Sequence, residues 1–397
     1  MTTMQPHLTA GQLNRATLAR QLLLERHDLH PVEAVRRIAA IQAQAPASPY
    51  LALWTRLRGF DPAELDAAIT DARLVKATLM RITLHLVHAE DYPPLHTAMQ
   101  PTLRAARLGD RRYVETGLAA ADADALVPDL VAQLATPHTN DQAQTWVEQR
   151  LGPPAQWAWW ALRHYAPVRH HPNGGPWSFG HRPTFVAAGS RPPRPYDVAE
   201  SDAALQTLAR RYLAGFGPAS VADVAQFALV PRRRARAALT GLGDGLVRYS
   251  GPAGAELFDL PAAELPAGAL PPAEQPAPPR LLPMWDSTLL AYHDRSRILP
   301  ERLRRVVIRN NGDVLPTVLV DGQVAGVWRT VPAGDQLGVE VTAFTALAPA
   351  HWEALAAEAA SLLALLAERD PTAYRRYARW WEQLPEVTEV RTLPAGG

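Results

Sequence analysis

Two glutamines separated by one alanine, Gln42-Ala43-Gln44, are residue types that can orient a water molecule for hydrolysis. A primary amide donates and accepts hydrogen bonds at once and needs no proton of its own to do so. Residues i and i+2 do not share a face of a helix, and Pro46 and Pro49 disfavour helical geometry at the residues before them. We therefore expect a helix end from which both amides point into one cleft. An ordinary polar helix end would give the same residues, so the function of the pair depends on the rest of the chain.

The composition limits the kinds of site that the chain can contain. Its 397 residues, 47% of them hydrophobic, suffice for roughly two to four domains. The absence of cysteine excludes disulfides, thiolate nucleophiles and cysteine-ligated zinc or iron–sulfur sites. No membrane-length apolar run and no signal peptide is present, which predicts a cytoplasmic protein without a membrane partner. No phosphate loop, nucleophile elbow or dinucleotide fingerprint occurs, so we expect no cofactor.

The charge is nearly balanced, with 40 basic and 39 acidic residues, so binding to nucleic acid must come from local clusters. All but one of the basic residues are arginine, and Lys76 is the exception. A DNA enzyme that cuts the backbone through a Schiff base needs an amine, and only Lys76 and the N-terminus provide one. A GC-rich genome would also explain the excess of arginine.

Groups of helices followed by a β-ribbon occur three times, which is typical of tandem winged helix-turn-helix units. In the first group, Thr17 is the predicted cap of the first helix, and a second helix runs from Pro31 to about Gln44. Two more predicted helices span 48–57 and 61–71, and a strand or hairpin follows over 73–88. The second has predicted helices over 121–134, 140–151 and 154–165, then a long wing over 167–187. The third has predicted helices over 201–214, 221–229 and 232–242, then a hairpin over 246–260.

The remaining chain changes character after a linker rich in proline and alanine. Asp321-Gly322 predicts a tight hairpin in a small curved sheet or barrel, and helices over 351–368 and 370–383 close the chain. The predicted fold class is α+β, with tandem winged helix-turn-helix units followed by a small β-barrel-like domain and C-terminal helices. The expected domains are a first winged helix with the glutamine motif (1–105), a second (106–195), a third (196–262), the linker (263–280) and the β-rich domain with its closing helices (281–397).

Arginine clusters on these elements are candidates for contact with DNA. Winged folds place a recognition helix where the third unit carries four arginines, namely Arg232, Arg233, Arg234 and Arg236. Such a cluster suits phosphate contacts, and a solvated helix face is the alternative. A second cluster is equally consistent with either interpretation and comprises Arg104, Arg107, Arg111 and Arg112.

Two further groups of residues have both a DNA-binding and a structural interpretation. Arg81, Thr83 and His85 alternate with apolar residues, so they share one strand face and are expected to point toward the glutamine pair. They would contact the minor groove or backbone, or belong to a partly buried structural strand. Trp177 and Phe179 lie in a glycine-rich loop and are candidates for stacking or wedge insertion, although core packing is the favoured role.

Other polar residues are assigned no chemistry. The spacing of four histidines fits no zinc pattern, so we expect no metal site at His164, His170, His171 and His181. Asp286 and Asp294 have the side chains of a general acid or base. For Asp294, a local ion pair with Arg295 is preferred.

Further short segments follow in a fixed order along nearly the whole chain: Leu13-Asn14-Arg15-Ala16-Thr17, Tyr50-Leu51-Ala52-Leu53-Trp54, Met80-Arg81-Ile82-Thr83-Leu84-His85-Leu86-Val87, Phe216-Gly217-Pro218-Ala219-Ser220, Leu281-Leu282-Pro283-Met284-Trp285-Asp286, Tyr292-His293-Asp294-Arg295 and Pro316-Thr317-Val318-Leu319-Val320-Asp321-Gly322. Together with the glutamine motif, they resemble the AlkZ/YcaQ-type DNA glycosylases, a family of tandem winged-helix proteins. The family motif is Gln-aliphatic-Gln in the AlkZ branch and Gln-aliphatic-Asp in the YcaQ branch, so this chain resembles the AlkZ branch. Ala43 is smaller than the usual middle residue, and the segment ending at Trp177 lacks the arginine of the family's P-P-R-G-x-W wing.

The resemblance implies a monofunctional DNA glycosylase that hydrolyses the N-glycosidic bond of alkylated purines, chiefly N7-alkylguanine, with bulky adducts and interstrand cross-links as further substrates. N7 alkylation makes the base a good leaving group, so the enzyme needs little acid catalysis and a well-placed water. Gln42 and Gln44 would hold that water near C1′. The scarcity of lysine fits hydrolysis without strand cleavage. The expected partner is double-stranded DNA, bound by a monomer, and the associated roles are DNA repair, cross-link unhooking and antibiotic self-resistance.

Two other functions use the same residues. A non-catalytic winged-helix regulator would bind DNA through the arginines, and the glutamine pair would be a polar helix end. A lesion-sequestering resistance protein would bind damaged DNA tightly without releasing a base. Loss of excision with retained DNA binding in a double glutamine-to-alanine variant separates the enzyme from both.

Overall fold

The computed structural model describes residues 6–152, 156–180, 182–189, 194–266, 268–385 and 387–394. Its α-helices are α1 (Ala10–Arg20), α2 (Pro31–Arg37), α3 (Ser48–Trp54), α4 (Pro62–Thr70), α5 (Tyr92–Leu108), α6 (Arg111–Val114), α7 (Ala120–Gln133), α8 (Asn140–Leu151), α9 (Gln156–Tyr165), α10 (Val198–Phe216), α11 (Val221–Ala228), α12 (Arg232–Gly241), α13 (Ser287–Leu290), α14 (Arg304–Val307) and α15 (Pro349–Arg369). Its strands are β1 (Ile41–Gln42), β2 (Leu74–Thr78), β3 (Leu84–His88), β4 (His138–Thr139), β5 (Val168–His171), β6 (Thr184–Ala187), β7 (Val247–Ser250), β8 (Glu256–Asp259), β9 (Arg280–Leu282), β10 (Thr317–Val320), β11 (Gln323–Ala333), β12 (Gln336–Ala343) and β13 (Glu389–Pro394).

Several helices begin where capping chemistry predicts. The carboxylate of Asp61 accepts from the backbone N–H of Ala63, and Pro62 supplies the first residue of α4. Ser220 and Asp223 form a capping box at the start of α11, because each side chain accepts from the backbone N–H of the other. These local interactions fix the ends of helices in the first and third predicted units.

Three predicted boundaries were wrong. Thr9, and not Thr17, caps α1, and the hydroxyl of Thr17 instead lies 2.8 Å from the hydroxyl of Tyr292. Helix α2 ends at Arg37 rather than near Gln44, because the chain then leaves the helix to pair as strand β1. The last predicted helix is a 3₁₀ segment, Arg375–Gln383.

One antiparallel six-stranded sheet contains strands from both the first and the second predicted unit, in the order β1-β3-β2-β5-β6-β4. The hairpin β2–β3 and the wing β5–β6 are each formed as predicted. They are joined where Lys76 of β2 pairs with His170 of β5. Helix α9 packs against β2 and β5, so the sheet and its helices share one core.

The third predicted unit has the expected winged arrangement. Helices α10, α11 and α12 pack against one another, and strands β7 and β8 form the antiparallel hairpin that follows them. Helix α10 also packs along α5 of the first unit. The recognition-helix position predicted from the arginine cluster is therefore occupied by α12.

The β-rich region is an open antiparallel sheet of five strands, in the order β13-β12-β11-β10-β9. The predicted tight turn connects β10 and β11, with φ of 47° at Asp321 and 75° at Gly322. The expectation of an α+β fold is confirmed, but the barrel-like description is corrected, since the outer strands β9 and β13 do not pair across the described residues. Helix α15 packs on β9, β12 and β13, so the sheet buries its face without closing. Within the described ranges, no helix is both long and apolar enough to cross a membrane.

Candidate active site

Gln42 is held by strand pairing rather than by a helix end. It is the last residue of β1 and lies opposite His85 of β3. Its backbone N–H donates to Oγ of Ser287 at 3.3 Å, and that hydroxyl donates to the carbonyl of Ala40 at 3.2 Å. Only 3% of Gln42 is exposed. Its backbone is therefore placed by contacts with residues more than 40 positions away in the chain.

Arg81 binds the side chain of Gln42. Its Nη2 donates to Oε1 of Gln42 at 2.8 Å and lies 3.2 Å from Nε2 of His85. Nδ1 of His85 lies 3.0 Å from the carbonyl of Thr83, which accepts its proton and leaves Nε2 as the acceptor for Arg81. Arg81 and Ile82 have φ of 54° and 58°, a left-handed turn that side-chain-bearing residues rarely adopt.

The surroundings of Arg81 and His85 determine the charge of each side chain. Burial and the nearby charge of Arg295 lower the pKa of Arg81 to about 10, so it stays cationic at neutral pH. Burial and the guanidinium of Arg81 lower the pKa of His85 to about 3, so its ring is neutral. In the described part of the chain Arg81 has no carboxylate partner, and its buried Nη1 has no hydrogen-bond partner. Such a guanidinium can bind an anionic oxygen.

Gln44 has different surroundings from Gln42. It is exposed, and its Oε1 accepts from the backbone N–H of Leu84 at 3.4 Å. It lines a cavity of about 210 Å³ together with Lys76 and residues of the wing, including His171 and Phe179. The two amides thus lie at the same edge of the sheet, and no direct hydrogen bond between them is among the described contacts.

Lys76 lines the same cavity, a position that the sequence alone did not predict. It is 5% exposed, and its Nζ lies 4.1 Å from the centroid of the Phe179 ring. Burial lowers its pKa to about 7. The signal in the sequence was that Lys76 is the only lysine, but its place beside Gln44 depends on the pairing of β2 with β5.

The four predicted DNA-binding arginines of α12 differ in their surroundings. Arg232, Arg233 and Arg236 are exposed. The side chain of Arg234 is 16% exposed and forms a 2.6 Å ion pair with Asp202 of α10. The structure therefore leaves three of the four arginines on the outer face of α12.

These three arginines share a groove with the start of α11. The groove has a volume of about 420 Å³ and contains the helix cap Ser220. Glu256 is the one acidic residue that lines it, and it lies 3.5 Å from Arg236 and 3.1 Å from Arg248. The groove combines positive charge with a helix N-terminus, a combination that suits phosphate oxygens.

Trp177 and Phe179 lie inside the described structure. Trp177 is 4% exposed, its Nε1 donates to Oδ2 of Asp370 at 3.1 Å, and its ring centroid is 5.1 Å from that of Tyr50. Phe179 is 8% exposed. Both positions fit the core-packing role favoured from the sequence, and contact of Trp177 with DNA remains a prediction.

The second arginine cluster forms local contacts. Arg104 forms an ion pair with Asp124 at 2.5 Å, and Arg111 forms one with Glu115 at 2.6 Å. The Cζ atom of Arg112 lies 4.0 Å from the centroid of the Trp160 ring. These three arginines have local partners, although the side chain of Arg111 is 88% exposed, and contact of the cluster with DNA stays a prediction.

The remaining predicted polar residues have structural surroundings. Asp286 accepts two hydrogen bonds from Arg56, both at 2.9 Å, inside the core. The predicted ion pair of Asp294 with Arg295 was wrong, because Asp294 instead accepts from the backbone N–H of Ser296 at 2.9 Å. Among the described residues no group of three or more potential ligands could hold a metal ion, and His181 lies outside those residues.

The chain is similar to known proteins both in sequence and in structure. A family model described as DNA glycosylase AlkZ-like matches residues 35–365. The interstrand DNA cross-link repair glycosylase of Streptomyces sahachiroi is 26% identical over 345 residues, which cover 79% of this chain and 86% of that protein. The solved structure of the Streptomyces sahachiroi DNA glycosylase AlkZ has the same fold, with a TM-score of 0.72 and 24% identity, and the match covers 90% of this chain and 96% of that one.

Proposed function

Because the chain belongs to the AlkZ-like DNA glycosylase family, we propose that it releases alkylated purines from double-stranded DNA, with N7-alkylguanine as the basic substrate. The family match confirms the resemblance expected from the motifs and identifies the chain as an enzyme that acts on N-glycosidic bonds in DNA. A relative named for interstrand cross-link repair supports bulky adducts and cross-links as further substrates. The base is displaced by water, so the enzyme is monofunctional.

The hydrogen bond from Arg81 to Gln42 is the observation that carries this mechanism. Because Oε1 of Gln42 accepts from Arg81, the NH₂ group of that amide remains to donate to the oxygen of a water. Gln44, at the mouth of the neighbouring cavity, accepts a hydrogen bond from the same water, which directs the lone pair of the water at C1′. Neither amide changes its protonation state during the reaction, and the proton that the water loses on bonding to C1′ passes to solvent.

The charge state of the site fits a substrate that is already activated. His85 is neutral at physiological pH, and its low pKa makes it unsuitable as a general acid there. A cationic N7-alkylpurine departs as a neutral base and needs no proton from the protein. The site therefore orients the water and stabilises the transition state with its dipoles. The positive charge on the alkylated base is what makes that base a good leaving group.

Contacts with the DNA backbone come from two surfaces. The exposed arginines of α12, which are Arg232, Arg233 and Arg236, bind phosphates in the groove at the start of α11. Arg81 and Thr83, which are half-buried beside the glutamine motif, are the candidates for contact with a phosphate near the lesion. His85 is 0% exposed and supports Arg81 instead of reaching the DNA. We propose that a monomer binds the duplex in the cytoplasm.

The test is release of N7-methylguanine from a defined duplex, with Gln42→Ala, Gln44→Ala as the double variant and Gln336→Ala, at an exposed position of β12, as the control. Wild type and control should release the base, whereas the double variant should bind the duplex and release none. Unchanged release by the double variant would place the active site elsewhere. Tight lesion-specific binding without release by wild type, on alkylated and cross-linked duplexes alike, would favour the sequestering protein or the regulator.

A further inference from the structure

The amine of Lys76 is unusually placed for a charged group. No acidic residue lines its cavity, and among the described residues Nζ has neither a carboxylate nor a hydrogen-bond partner beyond the face of Phe179. The neighbouring His170 supplies no negative charge, since burial and the charge of Lys76 hold its pKa well below the usual range and its ring is neutral. A buried cation without compensation is costly, so the group spends much of its time as a neutral amine. An arginine at this position could not lose its proton.

The size and lining of the cavity indicate which chemical group can bind beside that amine. Its volume of about 210 Å³ is below the roughly 300–1,000 Å³ of pockets for drug-sized ligands. It has room for a sugar-sized group rather than for a purine with a bulky adduct. Asn173, His171 and Thr184 supply polar walls for hydroxyl or carbonyl oxygens. Nδ1 of His171 has no partner among the described contacts and can transfer a proton.

We propose that Lys76 captures the abasic sugar left after base release by forming an imine with its ring-opened aldehyde. The proposal rests on the proposed function, because the aldehyde is the product of that reaction. The neutral amine attacks C1′ with its lone pair, and its proton moves to the carbonyl oxygen to give a carbinolamine. The C1′ hydroxyl then leaves as water, with His171 transferring the proton, and a carbon–nitrogen double bond remains.

This step follows base release and leaves the DNA backbone intact. Water held by the glutamines displaces the base, and Lys76 reacts only with the aldehyde that appears afterwards. One water leaves when the imine forms and one water returns when it is hydrolysed, so the amine and the abasic site are both regenerated. The imine keeps the reactive abasic product bound in the cavity beside Gln44.

The experiment uses the full chain and a duplex whose single abasic site has been made beforehand by excision of uracil. Sodium borohydride added to the mixture delivers a hydride to the imine carbon and converts the imine to a stable secondary amine. We expect a covalent protein–DNA complex on a denaturing gel, and peptide mapping should place the adduct on Lys76. The only other amine is the N-terminus, so the mapping is unambiguous.

Lys76→Arg is the matched variant, since it keeps a cation but has no amine that can form an imine. It should lose the covalent complex while its thermal unfolding remains cooperative. Absence of a complex with wild type, or an adduct on the N-terminus alone, would overturn the proposal; if the variant is unfolded, the mapping of the wild-type adduct still decides. Because the abasic site is supplied, failure here is distinct from failure of base release.

Discussion

The guanidinium of Arg81 and the amide oxygen of Gln42 are joined by a 2.8 Å hydrogen bond across the β1–β3 edge. This bond determines which end of the Gln42 amide remains to contact a water. It also couples the glutamine motif to a left-handed turn, because Arg81 itself has a φ of 54°. The orientation of the catalytic amide therefore depends on a residue 39 positions further along the chain.

Arg81→Lys should lower the rate of base release by about 10²-fold, the cost of losing one preorganised donor, with little loss of DNA affinity. Lysine keeps the positive charge but cannot bind Gln42 and His85 with one planar group. Single-turnover release and DNA binding are the measurements. Arg73→Lys, an exposed position on the same hairpin, is the control. A full release rate in Arg81→Lys would show that the amide needs no such support.

Arg233→Ala should weaken DNA binding and reduce the dependence of log affinity on log salt by about one unit. Arg233 is exposed at the start of α12, so its loss removes a phosphate contact without disturbing the core. Arg234→Ala is the matched variant on the same helix and should lower stability instead, since its partner is Asp202. Equal salt dependence in wild type and Arg233→Ala would remove this helix from the DNA interface.

Asp286→Ala should lower the free energy of unfolding by about 3–5 kcal/mol, because it leaves Arg56 buried without its partner. Denaturant unfolding measures the change. Glu301→Ala removes one partner of the exposed pair with Arg304 and should change stability by less than about 1 kcal/mol. A stable Asp286→Ala protein that has lost base release would instead make Asp286 catalytic.

The free energy of unfolding should fall as the pH is lowered from 7 to 5. Burial lowers the pKa of His96 to about 4, so folded His96 stays neutral while the unfolded side chain takes up a proton below about pH 6.5. The unfolded state then binds more protons, and the stability present above pH 6.5 is lost toward the folded pKa. His85 acts in the same direction.

His96→Gln tests this origin of the acid sensitivity. Thermal unfolding temperatures at pH 7 and pH 5 should differ less in His96→Gln than in wild type. His7→Gln, at an exposed position, should keep the wild-type difference. An unchanged difference in His96→Gln would assign the acid sensitivity to other groups.

Local chemistry in the sequence predicted much of the fold. The cap at Asp61 and the capping box at Ser220 are short-range interactions, and both helices begin where they predict. The turn at Asp321-Gly322 is equally local. Alternation in the segment before His88 likewise predicted the hairpin that contains β3.

Long-range contacts account for what the sequence did not reveal. Strand β1 has two residues, too few for a periodic pattern, so Gln42 was assigned to a helix end. Arg81 fits a period-2 pattern with His85, but its left-handed backbone takes it off the strand. Lys76 reaches the Gln44 cavity through a partner on β5 that lies 94 residues away, as the pairing Lys76↔His170 shows.

The sheet order β1-β3-β2-β5-β6-β4 joins strands of two sequence units in one sheet. The two sequence units that supply these strands should unfold in a single cooperative transition, since neither has a complete sheet alone. A gene fragment that ends at residue 105 would leave β2 as an unprotected edge, with Lys76 facing water instead of the wing. The unpaired backbone groups of an exposed edge strand pair with other chains. We therefore expect the truncated polypeptide to aggregate rather than to form a smaller active enzyme.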